Sequence, residues 1–215
     1  MAQSIVERFR KFDSCVVGDA LDAHGIDGVA AGVTPVRSEY TAVGRAHTLS
    51  LERAVPEGEL AEETTNFPNA MLSALQADRV LVVDGVHGVS HWGGNASRLA
   101  AEAGMAGVVI DGNYRDVPDV RTAEFPVFGR GPTPRSGQRR LHVADSGSTV
   151  TVGHCTVETD DIVVADATGI AVVPADRAAD VADTADDILS EELLIERKID
   201  TGATAQDLIG DDHEF

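Results

Sequence analysis

Lysine is almost missing from this sequence: Lys11 and Lys198 are the only two, and every other basic residue is arginine. That scarcity excludes a class of chemistry. Schiff-base catalysis needs a desolvated lysine in a pocket, and both lysines fall on expected amphipathic helices near the ends of the chain. Carbonyl chemistry would need a metal ion instead. Cysteine is equally scarce. Cys15 and Cys155 stand far apart, outside any paired metal spacing, and both are expected to be small buried hydrophobes. No apolar run is long enough to span a bilayer. The start, Met1 to Phe12, is charged and lacks the apolar stretch of a signal peptide. The expectation is a cytoplasmic protein. There is no P-loop, nucleophile elbow or paired CxxC. Linkers and repeats are missing too, so a single domain over 1–215 is expected.

Acid is abundant. Asp and Glu number 36 against 17 Lys and Arg, a formal net charge of −19 spread along the chain. Such a field repels nucleic acid and anionic membranes, so neither is expected as a partner. Abundant acid with little lysine suits a cytosol of high salt, where screening removes self-repulsion; the composition reads as a halophile's. Hydrophobic residues make up 43% of 215 residues, enough for a sizeable core. Only Asp211 to Phe215 reads as disordered.

Apolar spacing places the elements. Ser4 to Phe12 reads as a short amphipathic helix. Ser14 can cap a second helix through Ala23, stopped by Gly25. Ala42 to Leu51 alternates as a strand does, and Pro68 to Ala77 has helical spacing. Arg79 to Asp84 and Gly107 to Asp111 are short apolar runs expected of buried strands. Each ends in Asp-Gly and leads toward a helix, Asn95 to Ala103 (closed by Gly104) and Asp116 to Ala123. Two such units predict parallel pairing and an α/β fold. Thr149 to Val157 and Ile162 to Val173 are β-rich. A long amphipathic helix is expected over about 175–199.

Ligands of parallel sheets bind beyond the carboxyl ends of strands. Two loops therefore stand out. Gly85 to Ala96 is glycine-rich and enters a helix, so its exposed N–H groups favour a carboxylate or phosphate; a plain loop of tight turns is the alternative. Asp111 to Asp116 carries Arg115, a bidentate fork for a carboxylate, and Asp116, an oxygen donor for a hard divalent cation. A surface ion pair with Asp116 as a helix cap is the alternative there. His87 and His91 are four apart but on no helix, so they read as loop histidines that touch substrate rather than as metal ligands.

The order of motifs resembles the RraA-like family, which groups the regulator of RNase E activity A with 4-hydroxy-4-methyl-2-oxoglutarate aldolases, some members having once been labelled demethylmenaquinone methyltransferases. The landmarks are Gly18-Asp19-Ala20-Leu21, Val43-Gly44-Arg45-Ala46, Val82-Val83-Asp84-Gly85, Trp92-Gly93, Gly107 to Gly112, Arg115-Asp116-Val117, and Asp166-Ala-Thr-Gly169 before Val172-Val173-Pro174. The resemblance covers most of the chain. It implies a β/β/α sandwich of the swivelling-domain type, assembled as a homotrimer or hexamer. It implies Mg2+ (or Mn2+) on Asp116 through waters, Arg115 binding a pyruvate-like substrate, and backbone at Gly93, Gly94, Asn95 and Ala96 cradling its carboxylate. The sequence also departs from the family. The family commonly has an acid separated from Arg-Asp by twenty residues, where Gly94 stands. Its aldolases carry a glycine and then an acid after Arg-Asp, where Asp119 and Thr122 stand. A carboxylate lost beside a hydrated metal weakens metal affinity and removes a proton relay.

The expected function is a metal-dependent lyase acting on a small 2-oxo acid, with Arg115 and Asp116 as its catalytic pair. The alternative is a non-catalytic regulator that binds a protein partner such as an RNA-processing enzyme. A methyltransferase is disfavoured, because the glycine segments lack the nucleotide-binding order.

Overall fold

The computed structural model describes residues 4–209; the tail expected to be disordered lies outside them. In chain order the elements begin with helices α1 (Ile5–Phe9) and α2 (Ser14–Ala23) and strands β1 (Val29–Ala30), β2 (Thr34–Pro35) and β3 (Ala42–Arg53). Next come α3 (Phe67–Ser73), β4 (Arg79–Asp84), β5 (Ser90–Trp92), α4 (Gly94–Glu102), β6 (Gly107–Asp111), β7 (Asn113–Tyr114) and α5 (Val117–Thr122). The remainder is β8 (Val127–Gly129), β9 (Leu141–Ser146), β10 (Val150–Val152), β11 (Cys155–Val157), β12 (Ile162–Ala165), β13 (Ile170–Val173), α6 (Ala178–Asp200) and α7 (Ala205–Ile209).

A nine-stranded mixed sheet runs β1-β13-β12-β3-β4-β6-β8-β2, with β9 paired to β3. Strands β3, β4, β6 and β8 are mutually parallel, and β12, β13 and β1 add antiparallel strands at one side. The hairpin β10–β11 is a separate two-stranded sheet.

Both faces of the sheet are covered, which explains the unbroken apolar runs. Alternation along β12 and β13 shows the division. Ile162, Val164, Ala171 and Val173 pack with Phe9, Val17, Leu21, Val181 and Ala185 from the helices. Val163, Ala165, Ile170 and Val172 face the larger core, which includes Leu81, Val83, Val109, Ile110 and the hairpin's Val150, Val152 and Val157. Hairpin, sheet and helices give the β/β/α layering expected of an α/β fold.

Three local expectations change. Ser14 does not cap α2: Asp13 does, accepting from the Val16 N–H at 2.9 Å. Ser14 instead donates its N–H and hydroxyl to Asp166, both at 2.7 Å, tying α2 to the turn before β13. Cys15 is exposed, because that helix turns its other face to the sheet; Cys155 is buried. Helix α6 buries its apolar stripe only over its first half: Val181, Ala182 and Ala185 are buried, whereas Leu193, Leu194 and Ile199 are about half exposed.

Candidate functional site

Strands β4 and β6 end side by side, Asp84 opposite Asp111. Their following loops are stitched together by a short parallel pair, with Ser90 opposite Asn113 and Trp92 opposite Tyr114. The Arg115 N–H extends this ladder to the Trp92 carbonyl at 2.9 Å. That pairing brings Arg115 and Asp116 to the N-terminus of α4, although 20 residues separate Arg115 from Gly94 in sequence.

His91 fixes the two loops from beneath. Its Nε2 accepts the Val86 N–H at 2.9 Å, and Nδ1 lies 3.3 Å from the Asn113 carbonyl, so Nδ1 carries the proton. Burial pushes this imidazole down to about 4, because the charged ring would lose its hydration. A Cβ on Gly112 would lie 2.6 Å from His91 Cε1, and one on Gly85 2.9 Å from Nε2. The ring between them thus requires glycine after each strand, together with the Asp111 carbonyl, which would lie 2.8 Å from a Gly85 Cβ. His91 is a structural tie, which corrects its reading as a substrate-touching loop residue. His87 is exposed, with Nε2 3.7 Å from Asp111 Oδ1.

Asp111 itself is committed elsewhere. Its carboxylate accepts from Arg130, one contact being 3.0 Å, and from the Gly153 N–H at 2.6 Å. Burial works to raise its pKa, but these donors outweigh burial and hold it below the usual carboxylate range. Asp84 is half-buried and raised, by burial first.

The α4 entrance is open. Gly93 is the N-cap and contributes no side-chain cap. The first-turn N–H groups of Gly94, Asn95 and Ala96 therefore have no partner within the helix. The Ser97 N–H closes onto the Gly93 carbonyl at 3.0 Å. The Ser97 hydroxyl accepts from the buried Trp92 Nε1 at 2.8 Å, and Trp92 stacks on Phe125 with ring centroids 6.0 Å apart.

Asp116 sits over this entrance. It is the N-cap of α5 by position, yet its side chain makes no cap bond. Its backbone is left-handed, φ 54° and ψ 45°, a conformation that costs a non-glycine residue about 1 kcal/mol or more. The side chain reaches away from its own helix toward α4. A Cβ on Gly93 would lie 2.7 Å from Asp116 Oδ2, so the carboxylate fills the space beside that glycine. Its hydrogen-bond partner is Arg115, through Nε to Oδ1 at 3.0 Å. Arg115 and Asp116 side chains are 41% and 38% exposed, which leaves the end of the guanidinium open for a ligand. An open groove of about 420 Å3 borders the pair on its other side, between Val117-Pro118 and Pro132, Thr133 and Pro134.

Opposite charges converge here. The α4 amides and Arg115 attract an anion, and Asp116 attracts a cation. A hard carboxylate oxygen that carries one arginine contact fits Mg2+ or Mn2+. No cluster of three His, Cys, Asp or Glu suited to a metal occurs among the described residues. An ion at Asp116 would therefore complete its shell with waters and ligand oxygens, as Mg2+ commonly does. Sequence reasoning reached these two loops but missed β5, β7 and the His91 tie. The only trace of them was Asp-Gly repeated after both strands.

The chain is similar in sequence and fold to known proteins. The RraA-like family profile, described as Aldolase/RraA, matches residues 14–172. Protein DlpA of Legionella pneumophila is 26% identical over 205 residues, 94% of this chain. The chain spans only 33% of DlpA's length. A Burkholderia multivorans protein named "Putative 4-hydroxy-4-methyl-2-oxoglutarate aldolase" is 33% identical over 161 residues, covering 71% of this chain and 96% of that protein. The crystal structure of Streptomyces coelicolor RraAS2, described as an unusual member of the RNase ES inhibitor RraA protein family, superposes with a TM-score of 0.79. It is 27% identical and covers 90% of this chain and 97% of its own.

Proposed function

Because the chain belongs to the RraA-like family, we propose that it is a divalent-metal-dependent lyase that cleaves or decarboxylates a small 2-oxo acid with release of pyruvate. One observation carries this reading. The Asp116 carboxylate is held in a strained backbone against Gly93, beside the open amides of α4 and the Arg115 guanidinium.

Each group has a task under this proposal. The amides of Gly94, Asn95 and Ala96 receive the substrate carboxylate, where the helix dipole favours it. Asp116 holds Mg2+ or Mn2+, largely through waters. The bound ion supplies Lewis-acid polarisation of the 2-oxo group. Arg115 faces the same oxygens and stabilises the negative charge that develops when the adjacent carbon bond breaks, worth roughly a few kcal/mol for a well-placed group. Neither lysine can substitute: Lys11 is bound to Asp186 on α6, and Lys198 lies near the end of that helix. The proposed assembly is a homotrimer or hexamer.

The test is pyruvate release from 4-hydroxy-2-oxo acids and from oxaloacetate, in high salt with Mg2+. Activity well above that of Asp116→Ala is expected, and equal rates would overturn the reading. A second reading, a regulator binding a protein partner, draws on the similarity to RraAS2. Recovery of no stable partner from native extract would count against it.

A further inference from the structure

We infer that Asp119 supplies a second carboxylate to the α4 entrance, in the space that a side chain at position 94 would otherwise occupy. The inference rests on the metal-site reading above and concerns which residues hold the ion's water shell.

A Cβ built on Gly94 would lie 2.4 Å from Asp119 Cβ, 3.3 Å from its Cγ and 3.5 Å from its Oδ2. Two Cβ atoms cannot approach that closely, and both are fixed to helical backbone, Gly94 at the first turn of α4 and Asp119 at the first turn of α5. The positions therefore exclude one another: Asp119 as placed demands glycine at 94, and any side chain at 94 would displace α5. Gly94 is buried although it opens an exposed helix end, and Asp119 is what lies over it.

The arrangement answers the gap at position 94. The carboxylate enters from α5 rather than from α4, with its Oδ2 within 3.5 Å of where a position-94 Cβ would stand. Asp116 Oδ2 occupies the equivalent space at the neighbouring residue, 2.7 Å from a Gly93 Cβ. Consecutive glycines thus receive consecutive carboxylates from one turn of α5. Asp119 is not the helix cap, and its side chain is exposed above the entrance, free to accept hydrogen bonds there. That suits a positioning residue that accepts hydrogen bonds from cation-bound water rather than a direct ligand.

The test is an exchange. Mn2+ binding is read by electron paramagnetic resonance of the free ion, and thermal midpoints are measured with chelator present. The proteins are wild type, Asp119→Asn, Asp119→Gly, Gly94→Asp, and the double variant Gly94→Asp/Asp119→Gly. Outer-shell partners of a metal typically contribute about 10- to 100-fold in affinity. Both Asp119 variants should therefore lose at least about tenfold, while Asp119→Asn keeps its midpoint. Gly94→Asp should lower the midpoint, and the double variant should recover both midpoint and Mn2+ affinity. Wild-type affinity in Asp119→Asn, or a double variant as weak as Asp119→Gly, would overturn the inference while leaving the metal reading intact. A wild type that binds no Mn2+ at all would overturn both.

Discussion

Asp116 concentrates the strain of the site in one residue. Its left-handed backbone is held by the turn between β7 and α5, and its side chain forgoes the cap that the turn invites. Glycine adopts φ 54° without a Cβ penalty, whereas alanine does not. Asp116→Gly should therefore be more stable than Asp116→Ala by about 1 kcal/mol, measured as urea midpoints, and both should lose metal-dependent activity. A glycine variant no more stable than the alanine one would mean that the strain is not there. The second residue-scale case is His91. Its folded pKa of about 4 lies below the unfolded value near 6.5. The unfolded chain then binds the extra proton between those values, so stability is full above pH 6.5 and falls as pH drops toward 4. The single group accounts for on the order of 3 kcal/mol across that window. Wild type should lose more stability than His91→Gln between pH 7 and 5, by denaturant titration at each pH. Parallel pH profiles would show that the ring is hydrated after all.

At the scale of elements, the sequence was legible where hydrophobic periodicity is long and blind where geometry is made by short contacts. Strands β4 and β6 are apolar runs bounded by turn residues, and α6 has a stripe that repeats over many turns; their ranges agree with expectation to within a few residues. Strands β5 and β7 have three and two residues and carry no periodicity, yet they set the distance between α4 and Arg115. Strand β9 was hidden for another reason: of its six residues only Leu141 is buried, so it shows no apolar stripe. The α4 entrance depends on a contact of this kind. Ser97 is fully buried and accepts the Trp92 indole N–H while its hydroxyl lies 3.2 Å from the Gly93 carbonyl. Ser97→Ala would leave a buried donor unsatisfied, at a cost of about 1–3 kcal/mol. It should also loosen the first turn of α4, so amide exchange at Gly94 to Ala96 should quicken more than exchange in β4. Uniform acceleration across both elements would mean that the serine contributes stability alone.

For the whole molecule the governing number is the net charge of −19. The 36 acidic residues exceed the 17 lysines and arginines, so most acids have no cation to meet. Among the ion pairs that do form, Arg8 of α1 and Lys11 just after it meet Asp183 and Asp186 of α6, and Arg79 meets Asp160. They are partly exposed, and such pairs contribute at most about 1 kcal/mol each. Salt acts on both terms. It weakens the few attractions and screens the many repulsions, as the screening length shrinks from about 10 Å at 0.1 M to about 3 Å at 1 M. Repulsion outnumbers attraction, so screening should win. The urea midpoint at pH 7.5 should rise between 0.1 and 1 M KCl. Salt can also stabilise by strengthening apolar burial, independently of charge, and the two causes separate with pH. Near the isoelectric point, about 4.5, net repulsion vanishes while the buried area is unchanged. The gain from KCl should therefore shrink sharply at pH 4.5. An equal gain at both pH values would assign the salt response to burial, and the acidic surface would lose its reading as an adaptation to salt.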